Sequence, residues 1–364
     1  VGAARGLPWR EDRDAYRILV SEMMLVQTTV AAVVPYFARF LERFPTVEAL
    51  ARADEADVLK AWEGLGYYRR ARQLHAAARV ILETHGGRFP DDPEAVRALP
   101  GVGRYIAGAL LSFAFDQPAP IVEANTQRVL ARWLAWDEDL KSTRSQARLW
   151  QAAARLVPEV NPGAFNQAFM ELGALVCIPR NPMCLVCPVQ ADCLAKRQGI
   201  QDRIPVVAAK ARPKEVHEAC AVVERDGRYL IVQRQPGGLW ERFWEFPTIH
   251  LAGADPAGRS LGEPVALAEG IHALTGVTAE VGPALRTVKF GVTTHKVTLT
   301  AHPARWLNGE PRPGPGLVAT AWEPLEALER YTMGSATRGL VAWLLAGRTG
   351  MENQDKQTGR QGGA

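Results

Sequence analysis

The chain has 364 residues, 47% of them hydrophobic, and a formal net charge of +4. That is enough apolar material for two packed domains and too much for a disordered chain. The small net charge excludes a protein that holds nucleic acid by bulk positive charge, so any such contact must come from local patches.

No apolar run is long enough to span a membrane, and the N-terminus lacks a charged-then-apolar leader pattern. An intracellular, cytoplasmic protein is expected. Residues 1–14 read as a short charged segment interrupted by Leu7-Pro8-Trp9-Arg10. From Asp14 to Arg43 the pattern is helical, with Tyr16, Leu19, Val20, Met23 and Met24 at helix spacing. Glu22 lies inside that apolar run, where a carboxylate is costly unless it has a partner or a task. Thr46 starts a helix over 46–61. Gly64-Leu65-Gly66-Tyr67-Tyr68-Arg69-Arg70 is a glycine-flanked turn entering tyrosines and arginines. Aromatics beside cations suit stacking on bases and pairing with phosphates; they also suit an ordinary helix start with a packed Tyr.

Helices are expected at 71–85 and 93–99, joined to the next by Leu99-Pro100-Gly101-Val102-Gly103-Arg104-Tyr105. Glycine permits a close backbone approach there, and the first N–H groups of the following helix lack acceptors. A phosphate cradle and a plain helical hairpin fit this stretch equally well. Pro118 and Pro120 mark a loop, and a helix begins near Ala124 with Glu123 and Asn125 as capping residues. Further helices follow at 145–157 and 164–176.

Cys177, Cys184, Cys187 and Cys193 come next, spaced C-x6-C-x2-C-x5-C. Four thiols so close together in an intracellular chain point to a metal site. An iron–sulfur cluster and a four-thiolate zinc both fit, with disulfides a remote third. A proline-bearing stretch around Ile204–Pro213 has no amphipathic period and reads as a linker. Beyond it the character is mixed. Strands are expected at 220–224 and 228–234, joined by the turn Arg225-Asp226-Gly227. A short strand ends at Phe243–Pro247, a helix spans about Pro264–Thr275, and strands lie near 285–290 and 296–301. Helix and loop run from Glu323 to Ala346, and Cys220 reads as a core residue.

Taken in order, Leu7-Pro8-Trp9-Arg10, Glu22 through Gln27-Thr28, Gly64 to Tyr68, Leu99 to Tyr105, Phe165-Asn166-Gln167-Ala168 with Glu171-Leu172-Gly173, and the four cysteines resemble the MutY-type adenine DNA glycosylases. The resemblance covers roughly residues 7–347. It implies a multidomain fold: an all-α helix-hairpin-helix glycosylase domain over 1–199 with a [4Fe–4S] cluster loop at 177–193, a linker at 200–215, an α+β Nudix-like lesion-recognition domain over 216–347, and a disordered tail at 348–364. It also implies a monomeric, nucleoid-associated DNA N-glycosylase that removes adenine mispaired with 8-oxoguanine or G from double-stranded DNA.

Site residues follow from the same resemblance. The adenine must be flipped out of the duplex, and Glu22 would protonate its N7 as general acid, its pKa raised by desolvation. The family's Asp-Gly-Asn is Glu123-Ala124-Asn125 here, so the carboxylate that stabilises the oxocarbenium-like sugar is one methylene longer. Tyr105 stands where relatives resembling endonuclease III carry a Schiff-base Lys, which implies base release without strand cleavage. Gly101, Val102 and Gly103 would give N–H groups to a phosphate beside Arg104. Tyr67 would wedge into the duplex, flanked by Leu65, Gly66 and Tyr68. Gln27 would contact the lesion strand, the preceding family glutamine being Val26, and Trp9 and Arg10 would join the DNA contacts.

Cys177, Cys184, Cys187 and Cys193 would hold the cluster and position a basic loop containing Arg180. In the second half, Ala273 and Leu274 stand where a Nudix hydrolase needs a Glu pair, so pyrophosphate hydrolysis is not expected. Thr293, in Val292-Thr293-Thr294, would read the opposite base, with the aromatic and His of the family's Phe-Ser-His-like loop changed. Two other functions remain compatible with the departures: a related glycosylase with another target, and a DNA-lesion binding protein. The intact Glu22 and Tyr105 speak against the second.

Overall fold

The computed structural model describes residues 5–206, 213–237, 240–251, 263–292 and 294–358. The chain divides into two compact units, Val1–Lys210 and Ala211–Ala364.

The first unit is helical. Asp14 accepts the N–H groups of Tyr16 and Arg17 and so starts α1 (Ala15–Leu25). Every residue of α1 from Ile18 to Met24 is buried, so it is a core helix without a solvent face. α2 (Val30–Arg43) is a separate helix, with Thr29 capping it through Ala32 N–H. The single helix expected from Asp14 to Arg43 is therefore broken, and Gln27 in the break takes a left-handed φ of +59°. The helix expected at 46–61 is also two, α3 (Val47–Ala51) behind Thr46 and α4 (Glu55–Ala61) behind Asp54. α5 (Arg69–His85) ends on left-handed Gly86. α6 (Pro93–Ala98) and α7 (Arg104–Phe113) enclose the glycine hairpin, and α8 (Ala124–Trp133), α9 (Thr143–Leu156) and α10 (Pro162–Glu171) follow. α10 widens into a π turn at Leu172–Val176 before the cysteines, and α11 (Leu194–Arg197) comes after them.

Two buried clusters hold this unit together, one around Leu19, Met23, Phe40, Trp62 and Leu74, the other around Leu130, Leu149 and Trp150. Each fully buried large side chain contributes about 1.5–3 kcal/mol. Tyr105 packs against both clusters. Asn166 ties α10 to α7 through Ser112 Oγ (3.0 Å) and the Ala119 carbonyl (2.8 Å). The linker expected at 200–215 is in part packed core: Ile204 is buried, and its carbonyl accepts Arg132 Nε at 2.8 Å. A buried guanidinium needs acceptors, and here the chain after the cysteines supplies one.

The second unit is a mixed sheet of β1 (Lys214–Arg225), β2 (Arg228–Arg234), β3 (Trp244–Glu245), β4 (Thr248–His250), β5 (Thr278–Val281), β6 (Arg286–Val292), β7 (His295–Asn308) and β8 (Leu317–Glu323). The order is β3-β2-β1-β7-β5, with β8 on β2, β4 on β1 and β6 on β7. β1 and β7 run parallel, from Lys214 opposite His295 to Glu224 opposite Arg305. Asp226 (φ +52°) and Gly227 (φ +75°) form the two-residue turn between β1 and β2, both in the conformation such hairpins require. Along β1, Cys220 and Val222 enter one cluster with Leu340 and Val341 of α13 (Ser335–Thr358). Ala219, Ala221 and Val223 enter the other with Leu267 and Ile271 of α12 (Glu263–Thr275). A strand buried on both faces shows why this stretch lacks polar alternation. Cys220 is a core residue, 2% exposed. α13 runs to Thr358, into the stretch 348–364 where a disordered tail was expected. Thr293 lies outside the described residues. Among the described residues no helix is long and apolar enough to cross a membrane.

Candidate active site

Glu22 is 3% exposed within α1, and Tyr105, in the first turn of α7, donates its hydroxyl to Glu22 Oε2 at 2.7 Å. Burial pushes the Glu22 carboxyl up to about 7. The Tyr105 hydrogen bond and the charge of Arg10 oppose that rise, and the charge of Glu123 adds to it. Burial and the Glu22 charge hold the Tyr105 hydroxyl well above its ordinary value, so it is a permanent donor.

Glu123 is the N-cap of α8. Its Oε2 accepts the Asn125 N–H (2.8 Å) and Asn125 Nδ2 (3.1 Å), and its Oε1 accepts the Thr126 N–H (2.8 Å). Thr126 Oγ1 accepts the Glu123 N–H in return, completing a capping box. Burial raises the Glu123 pKa, and the Asn125 and Thr126 N–H groups act against the rise. Asn125 Oδ1 accepts Arg128 Nη2 at 2.9 Å. Gly173 lies so close that a Cβ there would sit 2.7 Å from Asn125 Cβ, so only glycine lets the π turn pack on α8.

Glu22, Tyr105, Glu123 and Asn125 line one cavity of about 740 Å³. Trp9, Arg10, Gln27, Gly101, Gly103 and Arg104 line it too. Arg5 and Met170 also line it, and the pattern of the sequence had not pointed to either. Glu171 Oε1 accepts Arg5 Nη2 (2.6 Å) and Arg10 Nη1 (2.9 Å). Burial works against ionisation of Glu171, yet the two arginines hold its carboxyl below the usual range. Arg5 and Glu171 are 166 positions apart, and no local pattern links them.

Other expected contacts are arranged differently. The Val102 N–H bonds the Leu99 carbonyl (3.0 Å) and the Gly103 N–H the Gly101 carbonyl (3.2 Å), so both are used inside the turn. The groups left without intrahelical acceptors are those of the first turn of α7, from Arg104 on, and Gly103 adds no side-chain cap. Gly101 itself has φ +75°, and a Cβ on it would meet Met23 Cε at 2.8 Å. Arg104 stacks over Trp150, 4.0 Å from the ring centroid. Trp9 packs edge-on against Phe37, and Leu65 is buried core. The Gly66 carbonyl accepts Trp62 Nε1, and the Tyr68 hydroxyl accepts the Gly64 N–H. Tyr67 is 48% exposed with φ +51°. Arg70, grouped with its neighbours as a phosphate ligand, is turned inward and 6% exposed.

Cys177, Cys184, Cys187 and Cys193 line a second cavity with Arg132 and Lys196, and none is in a disulfide. Arg132 Nη1 lies 3.4 Å from Cys177 Sγ. Burial and the neighbouring thiols push Cys184 and Cys187 up. Among the described residues no group of three or more His, Cys, Asp or Glu side chains stands in metal-holding geometry. The chemistry of the donor set, four free thiols beside a cation, fits a soft metal centre. The loop is tied to the first site: Arg128 donates to the Cys177 carbonyl (2.7 Å) and the Gly173 carbonyl (2.7 Å) as well as to Asn125.

Two family profiles match the chain: an HhH-GPD superfamily base excision DNA repair protein over residues 20–155 and a NUDIX domain over residues 218–343. The adenine DNA glycosylase of Rattus norvegicus is 38% identical over 307 residues, covering 70% of this chain and 59% of that protein. The human adenine DNA glycosylase is 37% identical over 299 residues, covering 67% of this chain and 55% of that one. The chain thus spans a little over half the length of these mammalian relatives. The adenine DNA glycosylase of Buchnera aphidicola subsp. Schizaphis graminum is 33% identical over 247 residues, covering 68% of this chain and 71% of that protein. With both profiles in this order and a relative matched over most of its length, the chain belongs to the adenine DNA glycosylase family.

Proposed function

We propose that the chain is a monofunctional glycosylase that excises adenine opposite 8-oxoguanine or guanine in duplex DNA. The observation that carries this reading is the Tyr105–Glu22 hydrogen bond in a cavity that also holds Glu123. The names of the relatives support adenine as the base removed. A base extruded into this cavity meets a carboxyl that keeps its proton near neutral pH. Glu22 gives that proton to adenine N7, and the base departs with the electron pair of the glycosidic bond. Positive charge then develops on the sugar, beside the Glu123 carboxylate, which the start of α8 holds in place. Tyr105 supplies no amine, so water completes the reaction and the strand stays whole.

Cys177, Cys184, Cys187 and Cys193 would hold a [4Fe–4S] cluster, which when bound supplies a structural staple for the loop after α10. One chain supplies Glu22, Tyr105 and Glu123 together, so this reading needs no second copy and takes the protein as a monomer. Recognition of the opposite base belongs in this reading to the second unit, with Thr293 as its reader.

Single-turnover base release from duplexes carrying A opposite 8-oxoguanine, A opposite G and other mismatches tests the proposal. Adenine release from the first two, with strand breaks only after alkali, is expected; no adenine release from any duplex refutes it. Glu123 in place of the family's Asp favours a second reading, a glycosylase with an altered target, which the same panel would reveal as release of a different base.

A further inference from the structure

Arg70, in the first turn of α5, is buried, and among the described residues no carboxylate pairs with it. Its guanidinium donates to oxygens of two separate turns. Nη1 donates to the carbonyls of Met23 (3.0 Å), Met24 (2.7 Å) and Val26 (2.5 Å). Nη2 donates to Thr28 Oγ1 (3.1 Å) and to the Gly66 carbonyl (3.0 Å). Met23, Met24 and Val26 lie at the C-terminus of α1, where helix carbonyls have no partners of their own and no basic residue stands in the last turn. Gly66 belongs to the turn before α5. Each turn contains one left-handed residue other than glycine, Gln27 and Tyr67, and Tyr67 stands out into solvent. The guanidinium also lies 5.2 Å from the Tyr67 ring centroid.

Burying a cation without a counter-charge is costly, and burial draws the Arg70 pKa down to about 10. A helix end alone does not require that; a left-handed glycine would serve. What a glycine cannot do is hold two turns at a fixed separation, and a lysine, with a single point of attachment, cannot span both sets of oxygens.

We infer that Arg70 is a positioning residue, fixing the Tyr67 turn against the Gln27 turn and the helix that carries Glu22, so that extrusion and protonation act on the same nucleotide. This inference rests on the glycosylase reading above. Its test uses Arg70→Lys and Arg70→Gly in the full chain. Four quantities are compared with the parent: folded fraction, duplex affinity, fluorescence of 2-aminopurine opposite guanine as the measure of extrusion, and single-turnover adenine release across pH. Both variants are expected to fold and to bind duplex within a few-fold of the parent. Extrusion and release should fall together by roughly 10²-fold, the order expected for a misplacement of about 1 Å. The pH at which release declines should stay where Glu22 puts it. Guanidinium ion in solution should restore part of the rate of Arg70→Gly and none of the rate of Glu22→Gln. Arg70→Lys with parental extrusion and release overturns the inference, as does a loss no larger than the loss of folded protein. A parent chain that extrudes 2-aminopurine but releases no adenine defeats the glycosylase reading instead, and the extrusion comparison still decides the role of Arg70.

Discussion

Glu22 combines two demands that conflict in water: a carboxyl that stays protonated near pH 7 and a fixed orientation. Burial in α1 meets the first and Tyr105 the second. Adenine release should therefore decline as pH rises through about 7, where the acid form is lost. Tyr105→Phe removes a contact that favours the ionised form, so the decline should move to higher pH while the maximal rate falls; a rate–pH profile of both proteins checks this. The same shift has a cost in stability. Below the ordinary Glu range the carboxyl is protonated in both the folded and unfolded chain. As pH rises toward 7 the unfolded chain loses its proton first, so stability falls across that window and stays low above it. Glu22→Gln keeps an acceptor for Tyr105 and removes the titration. It should abolish release, keep duplex binding, and at pH 8 raise the melting temperature by roughly 2–4 °C for each 1 kcal/mol recovered. An unchanged or lower melting temperature at pH 8 contradicts the assignment.

At the scale of elements, α8 begins with a residue that caps the helix and lines the cavity at once. The extra methylene of Glu123, relative to the Asp of the family pattern, still lets both carboxylate oxygens bond N–H groups of α8. The two roles separate by substitution. Glu123→Ser keeps a good cap, and its urea unfolding midpoint should stay near the parent, whereas Glu123→Ala should lose about 1 kcal/mol. Both should lose adenine release if the charge matters to the sugar. A Ser variant as active as the parent would reduce Glu123 to a cap. Glu123→Asp keeps cap and charge and should keep or raise the rate. The break between α1 and α2 is a second case. Its left-handed Gln27 would be strained as part of a longer helix, and here it carries an exposed side chain onto the cavity rim.

Across the whole molecule, each unit has its own buried clusters, helical in the first and built on both faces of a mixed sheet in the second. The first unit holds every group that the proposed chemistry uses. A chain ending at residue 206 should therefore fold and still release adenine, but should lose most of its preference for A opposite 8-oxoguanine over A opposite G. Single-turnover rates on the two duplexes measure that ratio, and an unchanged ratio would place opposite-base reading in the first unit. Purified protein should show the broad visible absorbance of an iron–sulfur cluster; a colourless protein carrying zinc would replace the cluster with the other soft-metal reading.

Local motifs and spacing marked the helical half, the cysteine set and the hairpin of the second half, because each of these is coded by residues close in sequence, and the family resemblance those motifs carry put Glu22 and Tyr105 forward as site residues. The Arg225-Asp226-Gly227 turn is the simplest example: two positive φ angles, two residues suited to them. Helix breaks at Gln27 and Arg52–Asp54 were hidden, since apolar spacing continues across them while the caps that end each piece are single residues. Only the tertiary structure decided which polar groups meet. Arg5 reaches Glu171, Arg128 reaches Cys177, and Arg70 turns from the expected phosphate contact to the carbonyls of α1. An arginine side chain reads the same in sequence whether it faces solvent or a buried ring of oxygens. Which one it faces depends on partners tens to hundreds of residues away, brought near by the packing of helices whose own patterns say nothing about it.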